Sequence, residues 1–289
     1  MAVKIERLIV VGYGNMGKAI VDGALRRMGA PGTGGDELRG IALVDPVKRD
    51  MRHEWFKGTE GLKQVASVEA LDELGGLAPG DVVLLSVKPQ VFKDVAPGLR
   101  ALLAKAERKG VTVVSVMAGV TCAKMHEALG PTVPIVRAMP NLAAMVGQSA
   151  SAFCLGPAAY REHAEIAGAL LRAIGPEVLE LSEMQLDAFT AVAGSGPAYV
   201  FYLAEAMIAG AVAAGMDAKT ADQAVRQTLV GAAEVLRLTM SDPAALRANV
   251  TSKGGTTEAA VGVLDEHGVR AAIEAAVIAA RLRARELSR

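Results

Sequence analysis

Near its start the chain carries the stretch Leu8-Ile9-Val10-Val11-Gly12-Tyr13-Gly14-Asn15-Met16-Gly17. An apolar run of strand length is followed at once by G-x-G-x-x-G, and residues 15–27 have the apolar spacing of a helix. In such a unit the first glycine permits a tight turn, the second lets a pyrophosphate approach the backbone, and the third lets helix and strand pack closely. Free N–H groups and the positive end of the helix then face the anion. The stretch predicts a dinucleotide-binding loop formed by Gly12, Tyr13, Gly14, Asn15, Met16 and Gly17, although an ordinary glycine-rich turn remains the alternative.

The rest of the first half alternates short apolar runs with helical patterns. The runs at 82–87 and 111–116 are rich in Val and Leu and carry no charge, which is typical of strands covered on both faces. Further strands are predicted at 5–11, 41–44, 133–137 and 149–154. This alternation predicts an α/β fold, a doubly wound Rossmann-type parallel sheet, over residues 1–182.

The second half changes character and offers almost no strand candidate. Its helical patterns lie at 187–216, 220–239, 243–249 and 256–287 and are rich in alanine. Residues 198–216 carry one charge, Glu205, and approach the length of a membrane span. Their richness in Ala and Gly, the central carboxylate and the lack of flanking basic clusters favour a buried helix or a subunit interface over a membrane. We therefore predict an all-helical domain over residues 183–289.

Composition excludes several classes of function. Lys and Arg together number 31, as do Asp and Glu, so no basic face for nucleic acid is expected. The two cysteines, Cys122 and Cys154, stand apart in sequence, and the four histidines form no metal-ligand motif. The sequence predicts a reduced, cytoplasmic protein without a metal site.

Asp45 follows the predicted strand 41–44, where an acidic residue commonly binds the ribose of NAD. It lies farther from the glycines than usual, and the Gly/Pro-rich insert at 29–37 accounts for the excess. A carboxylate there would repel the additional phosphate of NADP, while the neighbouring Lys48 and Arg49 would attract it. Asp45 therefore favours NAD, with a turn-forming role before Pro46 as the alternative.

Five further motifs resemble pyrroline-5-carboxylate reductases over nearly the whole chain. In the first half they are V-K-P-Q at 87–90, A-G-V-T at 118–121 and R-A-M-P-N at 137–141. In the second half they are A-G-S-G-P-A-Y at 193–199 and T-S-K-G-G-T-T at 251–257. The resemblance implies reduction of 1-pyrroline-5-carboxylate to L-proline by hydride from NADH or NADPH, the last step of proline biosynthesis. It also implies a homodimer formed by the helical domains, with dimers joining into a larger ring such as a decamer.

The same resemblance implies further cofactor contacts on the first domain. They fall at the ends of predicted strands, where open α/β sheets bind ligands, and are Ser86, Val87, Lys88, Pro89, Met117, Ala118, Gly119 and Asn141. Two of them have simpler alternatives, because Lys88 could be a solvated strand end and Asn141 could cap a helix.

Residues 252–257 are the predicted substrate segment. Paired glycines before a helix place successive backbone N–H groups where a carboxylate can dock, with a plain capping turn as the alternative. Lys253 replaces the proline common in the family, and we expect its side chain to face solvent. By resemblance the hydroxyl of Thr257 contacts the ring nitrogen as the catalytic residue, and the substrate-binding residues are Asn249, Gly254, Gly255, Thr256 and Thr257.

Two rival functions are less well supported. A β-hydroxyacid dehydrogenase needs a catalytic lysine on an early helix of its second domain, and residues 187–216 contain none. A non-catalytic nucleotide sensor would need no second anion site at 254–257.

Overall fold

The computed structural model describes residues 2–28, 35–47, 62–106 and 110–288. The chain divides into two compact units. The first comprises Met1–Gly194 together with Ala280–Arg289, and the second comprises Ser195–Ala279. The predicted domain boundary after residue 182 stays a prediction.

The first unit is built on an eight-stranded sheet. From one edge to the other its strands are β10 (Glu177–Glu180), β9 (Ala150–Leu155), β8 (Ile135–Met139), β7 (Thr112–Ser115), β6 (Asp81–Leu85), β2 (Arg7–Val11), β4 (Ile41–Val44) and β5 (Leu62–Val65). All neighbours are parallel except β8 and β9, which pair antiparallel. The Rossmann-type fold class is confirmed, and the predicted parallel sheet contains this one antiparallel pair.

Helices cover both faces of this sheet. Leu8 and Val10 of β2 belong to one core cluster, whereas Ile9 and Val11 belong to the other. Alternate side chains of a strand point to opposite faces, so both faces are buried and β2 is apolar from Leu8 to Val11. The helices of this unit are α1 (Asn15–Arg27), α2 (Pro89–Lys105), α3 (Cys122–Leu129), α4 (Arg161–Arg172) and α5 (Glu183–Phe189), with 3-10 turns at Glu69–Leu74 and Leu142–Val146.

Some short strands were not predicted from the sequence. β5 and β10 contain charged or amide side chains and sit at the two edges of the sheet, so neither forms the apolar run that marks a central strand. A separate two-stranded parallel pair joins β1 (Lys4–Ile5) to β3 (Glu37–Leu38). The predicted loop 29–37 ends in β3, and its residues 29–34 lie outside the described part of the chain.

The second unit is helical. Its helices are α6 (Gly196–Ala213), α7 (Ala218–Thr239), α8 (Pro243–Asn249), α9 (Thr256–Glu266) and α10 (Val269–Ser288), the last of which ends in the first unit. The predicted helix over 256–287 is interrupted at Gly268, whose φ is +65°. The predicted helix over 187–216 is interrupted by a π-helical turn at Thr190–Gly194.

Large apolar side chains of the second unit lie on the surface of the single chain. Tyr202 is 76% exposed and Leu238 is 65% exposed, and α6 buries none of its residues. The helical stretch Glu183–Ala213 is long and apolar enough to cross a membrane by length and composition alone. So much exposed apolar surface indicates an interface.

His163, buried in the first turn of α4, gives the fold a dependence on pH. Its Nδ1 accepts a hydrogen bond from the Tyr160 N–H at 2.9 Å, and burial lowers its pKa below 6.5. The unfolded chain therefore binds this proton at higher pH than the folded chain. This difference in protonation of His163 contributes to the free energy of unfolding. The contribution is complete above about pH 6.5 and is lost as the pH falls through the pKa of the folded state.

Replacing His163→Gln should remove this acid sensitivity, because glutamine also accepts at this capping position and does not titrate. Urea midpoints measured between pH 7.5 and 5 should fall less for the variant than for the native chain. His267→Gln alters an exposed histidine and should leave the native pH dependence intact. Parallel pH curves for the native chain and His163→Gln would contradict the assignment.

Candidate active site

The glycine loop joins the end of β2 to α1, and its first glycine is fixed by the backbone. Gly12 has a φ of +91°, a conformation that side chains other than glycine rarely adopt. A methyl group at Gly12 would also come within 2.8 Å of Val87 Cγ1 and 2.9 Å of Val87 N. The loop can therefore pass β6 this closely only with glycine at position 12.

Gly14 and Gly17 have opposite surroundings. Gly14 is the N-cap of α1, no side chain caps this helix, and its first turn holds no acidic residue. No atom lies within 4 Å of a methyl group placed on Gly14, whereas one on Gly17 would lie 2.5 Å from Gly12 O. Gly17 thus permits close packing, and Gly14 leaves the N-terminus of α1 open to an approaching pyrophosphate. This part of the structure fits a dinucleotide.

Ser86 and Val87, which follow β6, support the loop. Ser86 Oγ donates a hydrogen bond to Gly12 O at 2.5 Å, and Val87 lies against Gly12. Lys88 is exposed and forms the N-cap of α2, with Pro89 as the first helical residue. Direct contact of these four residues with the cofactor stays a prediction.

Asp45 lies immediately after β4 and is 6% exposed. Its Oδ2 accepts a hydrogen bond from Tyr13 N at 2.9 Å, and its Oδ1 accepts one from Val47 N at 2.8 Å. The hydrogen bond from Val47 N corresponds to the turn-forming role of Asp45, whereas the one from Tyr13 N connects Asp45 to the glycine loop. Lys48 and Arg49 lie outside the described residues.

The turn after β7 contains three of the predicted cofactor contacts, Met117, Ala118 and Gly119. Met117 is buried, with 2% of the residue exposed, while Ala118 is exposed. Gly119 has a φ of +76°, and a methyl group there would lie 3.0 Å from Leu287 Cβ. Leu287, at the end of α10, thus covers one side of Gly119, a contact across 168 positions that no local pattern indicates.

The Asn141 side chain is engaged in structural hydrogen bonds. Its Oδ1 accepts from Ala143 N at 3.2 Å, and its Nδ2 donates to Ala193 O at 3.1 Å. Asn141 therefore caps the 3-10 turn at Leu142–Val146, as the alternative interpretation predicted. These bonds fix the loop after β8 against the residue that precedes Gly194, and contact with a nicotinamide stays a prediction.

The predicted substrate residues belong to the second unit. Asn249 is the last residue of α8, and Gly255 is the N-cap of α9. No side chain caps α9, so neither Thr256 nor Thr257 serves as the capping residue that the alternative required. Lys253 is exposed, as expected.

The two cysteines, far apart in sequence, meet in the first unit. Their Sγ atoms are 4.0 Å apart, and both residues are buried. Contact with Cys154, together with burial, raises the pKa of the Cys122 thiol. With Glu183 they form the group of metal-ligand types found among the described residues. However, Glu183 Oε1 accepts from Arg137 Nη1 at 3.0 Å and from Cys122 N at 2.8 Å, and an adjacent guanidinium disfavours a cation.

Two family models match separate parts of the chain. Residues 7–119 match the model described as NADP oxidoreductase, coenzyme F420-dependent. Residues 183–287 match the model described as pyrroline-5-carboxylate reductase dimerisation. The sheet, the open glycine loop and the first match define an NAD(P)-dependent oxidoreductase, and the second match implies a homodimer.

Similar proteins identify the family. The pyrroline-5-carboxylate reductase of Pseudomonas aeruginosa is 37% identical over 98% of this chain and 97% of its own length. The structure of a pyrroline-5-carboxylate reductase from Coxiella burnetii has a TM-score of 0.81 and 32% identity, with 98% of each chain covered. The Plasmodium falciparum pyrroline carboxylate reductase with NADP bound shares the fold, with a TM-score of 0.80, 23% identity and coverage of 99% of this chain and 100% of its own. The chain belongs to the pyrroline-5-carboxylate reductase family, which confirms the resemblance identified from the sequence.

Proposed function

We propose that this chain reduces 1-pyrroline-5-carboxylate to L-proline with NADH or NADPH as reductant. The observation that carries the proposal is the uncapped, open N-terminus of α1 at Gly14 in a chain similar to these reductases over nearly its full length. When bound, a reduced nicotinamide supplies the hydride for the C=N carbon. The remaining work of the chain is to bind, orient and neutralise charge.

The first unit holds the cofactor in this proposal. The N–H groups at the start of α1 bind the pyrophosphate, and Asp45 binds the ribose of NAD in preference to NADP. The turns after β6, β7 and β8 bind the rest of the molecule through Ser86, Val87, Lys88, Pro89, Met117, Ala118, Gly119 and Asn141.

The second unit holds the substrate. Backbone N–H groups before and at the start of α9 bind the carboxylate, and Asn249 lies one turn upstream of this segment. The hydroxyl of Thr257 contacts the ring nitrogen, which carries the proton as the imine accepts hydride. Positioning alone can contribute about 7–11 kcal/mol to such a reaction, so a strong general acid is not required.

The direct experiment follows absorbance of the reduced nicotinamide when 1-pyrroline-5-carboxylate is added to the purified protein. We expect the absorbance to fall in step with proline formation, with both NADH and NADPH tested. A protein that binds the cofactor and leaves it reduced in the presence of substrate would contradict the proposal and favour a nucleotide sensor.

Replacing Thr257→Ala should lower kcat/KM by about 10- to 100-fold, the cost of one hydrogen bond to a charged group, while leaving measurable turnover. Thr257→Ser should restore most of the activity, because serine retains the hydroxyl. Thr228→Ala removes a hydroxyl that bonds Ala224 O within α7 and serves as the matched control. Complete loss of turnover in a folded Thr257→Ala protein would instead assign proton donation to this hydroxyl.

The assembly proposed for this chain is a homodimer formed by residues 183–287, with dimers joining into a ring such as a decamer. The exposed apolar side chains of α6 and α7 support a protein interface rather than a membrane for Glu183–Ala213, since the dimerisation match covers this stretch. Unbonded cysteines at 4.0 Å are consistent with a reducing, cytoplasmic location. Light scattering distinguishes a dimer from a larger ring.

A further inference from the structure

A carboxylate of the chain itself reaches into the predicted substrate segment. Glu258 Oε2 accepts a hydrogen bond from the Gly254 N–H at 2.7 Å. Glu258 lies in the first turn of α9, and both residues are exposed. The Gly254 N–H, predicted to bind the carboxylate of the substrate, therefore already has an acidic partner.

The neighbouring backbone closes the turn. Gly254 has a φ of +73°, and the Gly255 N–H donates to Ser252 O at 2.9 Å. A methyl group on Gly255 would come within 2.5 Å of Ser252 Oγ. The two glycine N–H groups are thus engaged within the turn.

The first N–H groups of α9 remain available to bind a ligand. The leading N–H groups of a helix have no partner inside it, and none of the hydrogen bonds within the described part of the chain uses the N–H of Thr256 or Thr257. These two amides lie at the positive end of α9, where an anion is stabilised. The segment therefore separates its amides into an engaged pair, at 254 and 255, and an available pair, at 256 and 257.

We propose that Glu258 is a positioning residue: by holding the Gly254 N–H it fixes the turn that presents the Thr256 and Thr257 amides to the carboxylate of the substrate. This inference rests on the proposed function. It assigns Gly254 a conformational role in place of a direct hydrogen bond to the substrate.

Charge and geometry act in opposite directions at Glu258, and this makes the proposal testable. The negative charge of Glu258 disfavours a second carboxylate nearby, whereas its hydrogen bond holds the amides in place. Glutamine keeps an acceptor and removes the charge, while alanine removes both. A residue that acted only through charge would give both variants a lower substrate KM, and a residue that only stabilised α9 would change Tm without changing KM.

The experiment compares Glu258→Gln, Glu258→Ala and the native protein by steady-state kinetics. For Glu258→Ala we expect the KM for 1-pyrroline-5-carboxylate to rise about tenfold, the effect of one charge-assisted hydrogen bond, with kcat and the cofactor KM near native values. Glu258→Gln should have a substrate KM equal to or below the native one. Glu266→Ala removes an exposed carboxylate at the other end of α9 and should match the native protein. A substrate KM within twofold of native for Glu258→Ala would overturn the proposal.

Hydrogen exchange separates this proposal from the proposed function. Exchange at the Gly254 amide should be faster in Glu258→Ala than in the native protein, and unchanged in Glu266→Ala. If the native protein does not reduce 1-pyrroline-5-carboxylate, the proposed function fails, and faster exchange would still show that Glu258 holds the turn. Equal exchange in all three proteins would overturn the positioning role whatever the activity.

Discussion

Replacing Gly14→Ala should leave the folded state intact and weaken binding of NADH and NADPH by about 10- to 100-fold. No atom lies within 4 Å of the added methyl group, and the φ of −77° at Gly14 suits alanine, so no clash or strain is introduced. The methyl group would instead occupy the space through which a pyrophosphate approaches the start of α1. Losing one charge-assisted hydrogen bond to an anion costs about 1.5–3 kcal/mol, which gives the stated range in Kd.

Fluorescence titration with the reduced cofactor measures this effect, and thermal unfolding without cofactor checks the fold. Gly35→Ala is the matched control, because this glycine also has open space around it and lies outside the loop. Gly17→Ala should behave in the opposite manner and lower Tm, since its methyl group would lie 2.5 Å from Gly12 O and 2.7 Å from Ser86 Oγ. Native cofactor affinity in Gly14→Ala would remove the phosphate-binding assignment of the loop.

The glycine loop was predictable because its constraints are local. The turn at Gly12, the open cap at Gly14 and the packing at Gly17 follow from a strand, a turn and a helix that are consecutive in sequence. The central strands were predictable for a similar reason, since residues that alternate between two buried faces are mostly apolar. The edge strands β5 and β10 were not predicted, because they lie outside such a local motif and are not mainly apolar.

Contacts between distant segments could not be predicted from one sequence. Leu287 covers Gly119, Cys122 meets Cys154, and Arg137 on β8 pairs with Glu183. Each contact depends on how strands and helices are ordered in the sheet, which a local pattern does not encode. The antiparallel entry of β9 into the sheet is of the same kind, because strand direction is decided by the connections around it.

The hydrogen bond from the Gly254 N–H to Glu258 is local in sequence, yet it was not predicted. The two residues are four positions apart, and an acidic residue in the first turn of a helix is a recognised signal for interaction with nearby N–H groups. Neither interpretation of 254–257, an external anion site or a turn capped by a threonine, included the Glu258 side chain as an acceptor. An acidic side chain next to a predicted anion site should therefore be tested as a competing acceptor.

The second large effect that we expect is a change in the choice between NADH and NADPH when Asp45 is replaced. Its carboxylate accepts the Tyr13 N–H of the glycine loop, which places a buried negative charge beside the proposed dinucleotide site. An additional phosphate on the ribose would meet this charge at short range, and such repulsion is strong away from bulk water. We therefore expect the native protein to prefer NADH, and Asp45→Ser to shift the ratio of kcat/KM values toward NADPH by about tenfold or more.

Asp36→Ser is the appropriate control for the Asp45 variant. Asp36 Oδ1 also accepts a backbone N–H, from Val3 at 2.9 Å, so its loss reproduces the removal of a carboxylate-to-backbone bond away from the glycine loop. The control should leave the cofactor ratio unchanged. Since Asp45 also holds Val47, its replacement should lower Tm as well, and the change in ratio is what separates the two roles. A ratio that stayed native in Asp45→Ser, together with a lower Tm, would reduce Asp45 to the turn-forming residue that the following Pro46 already suggests.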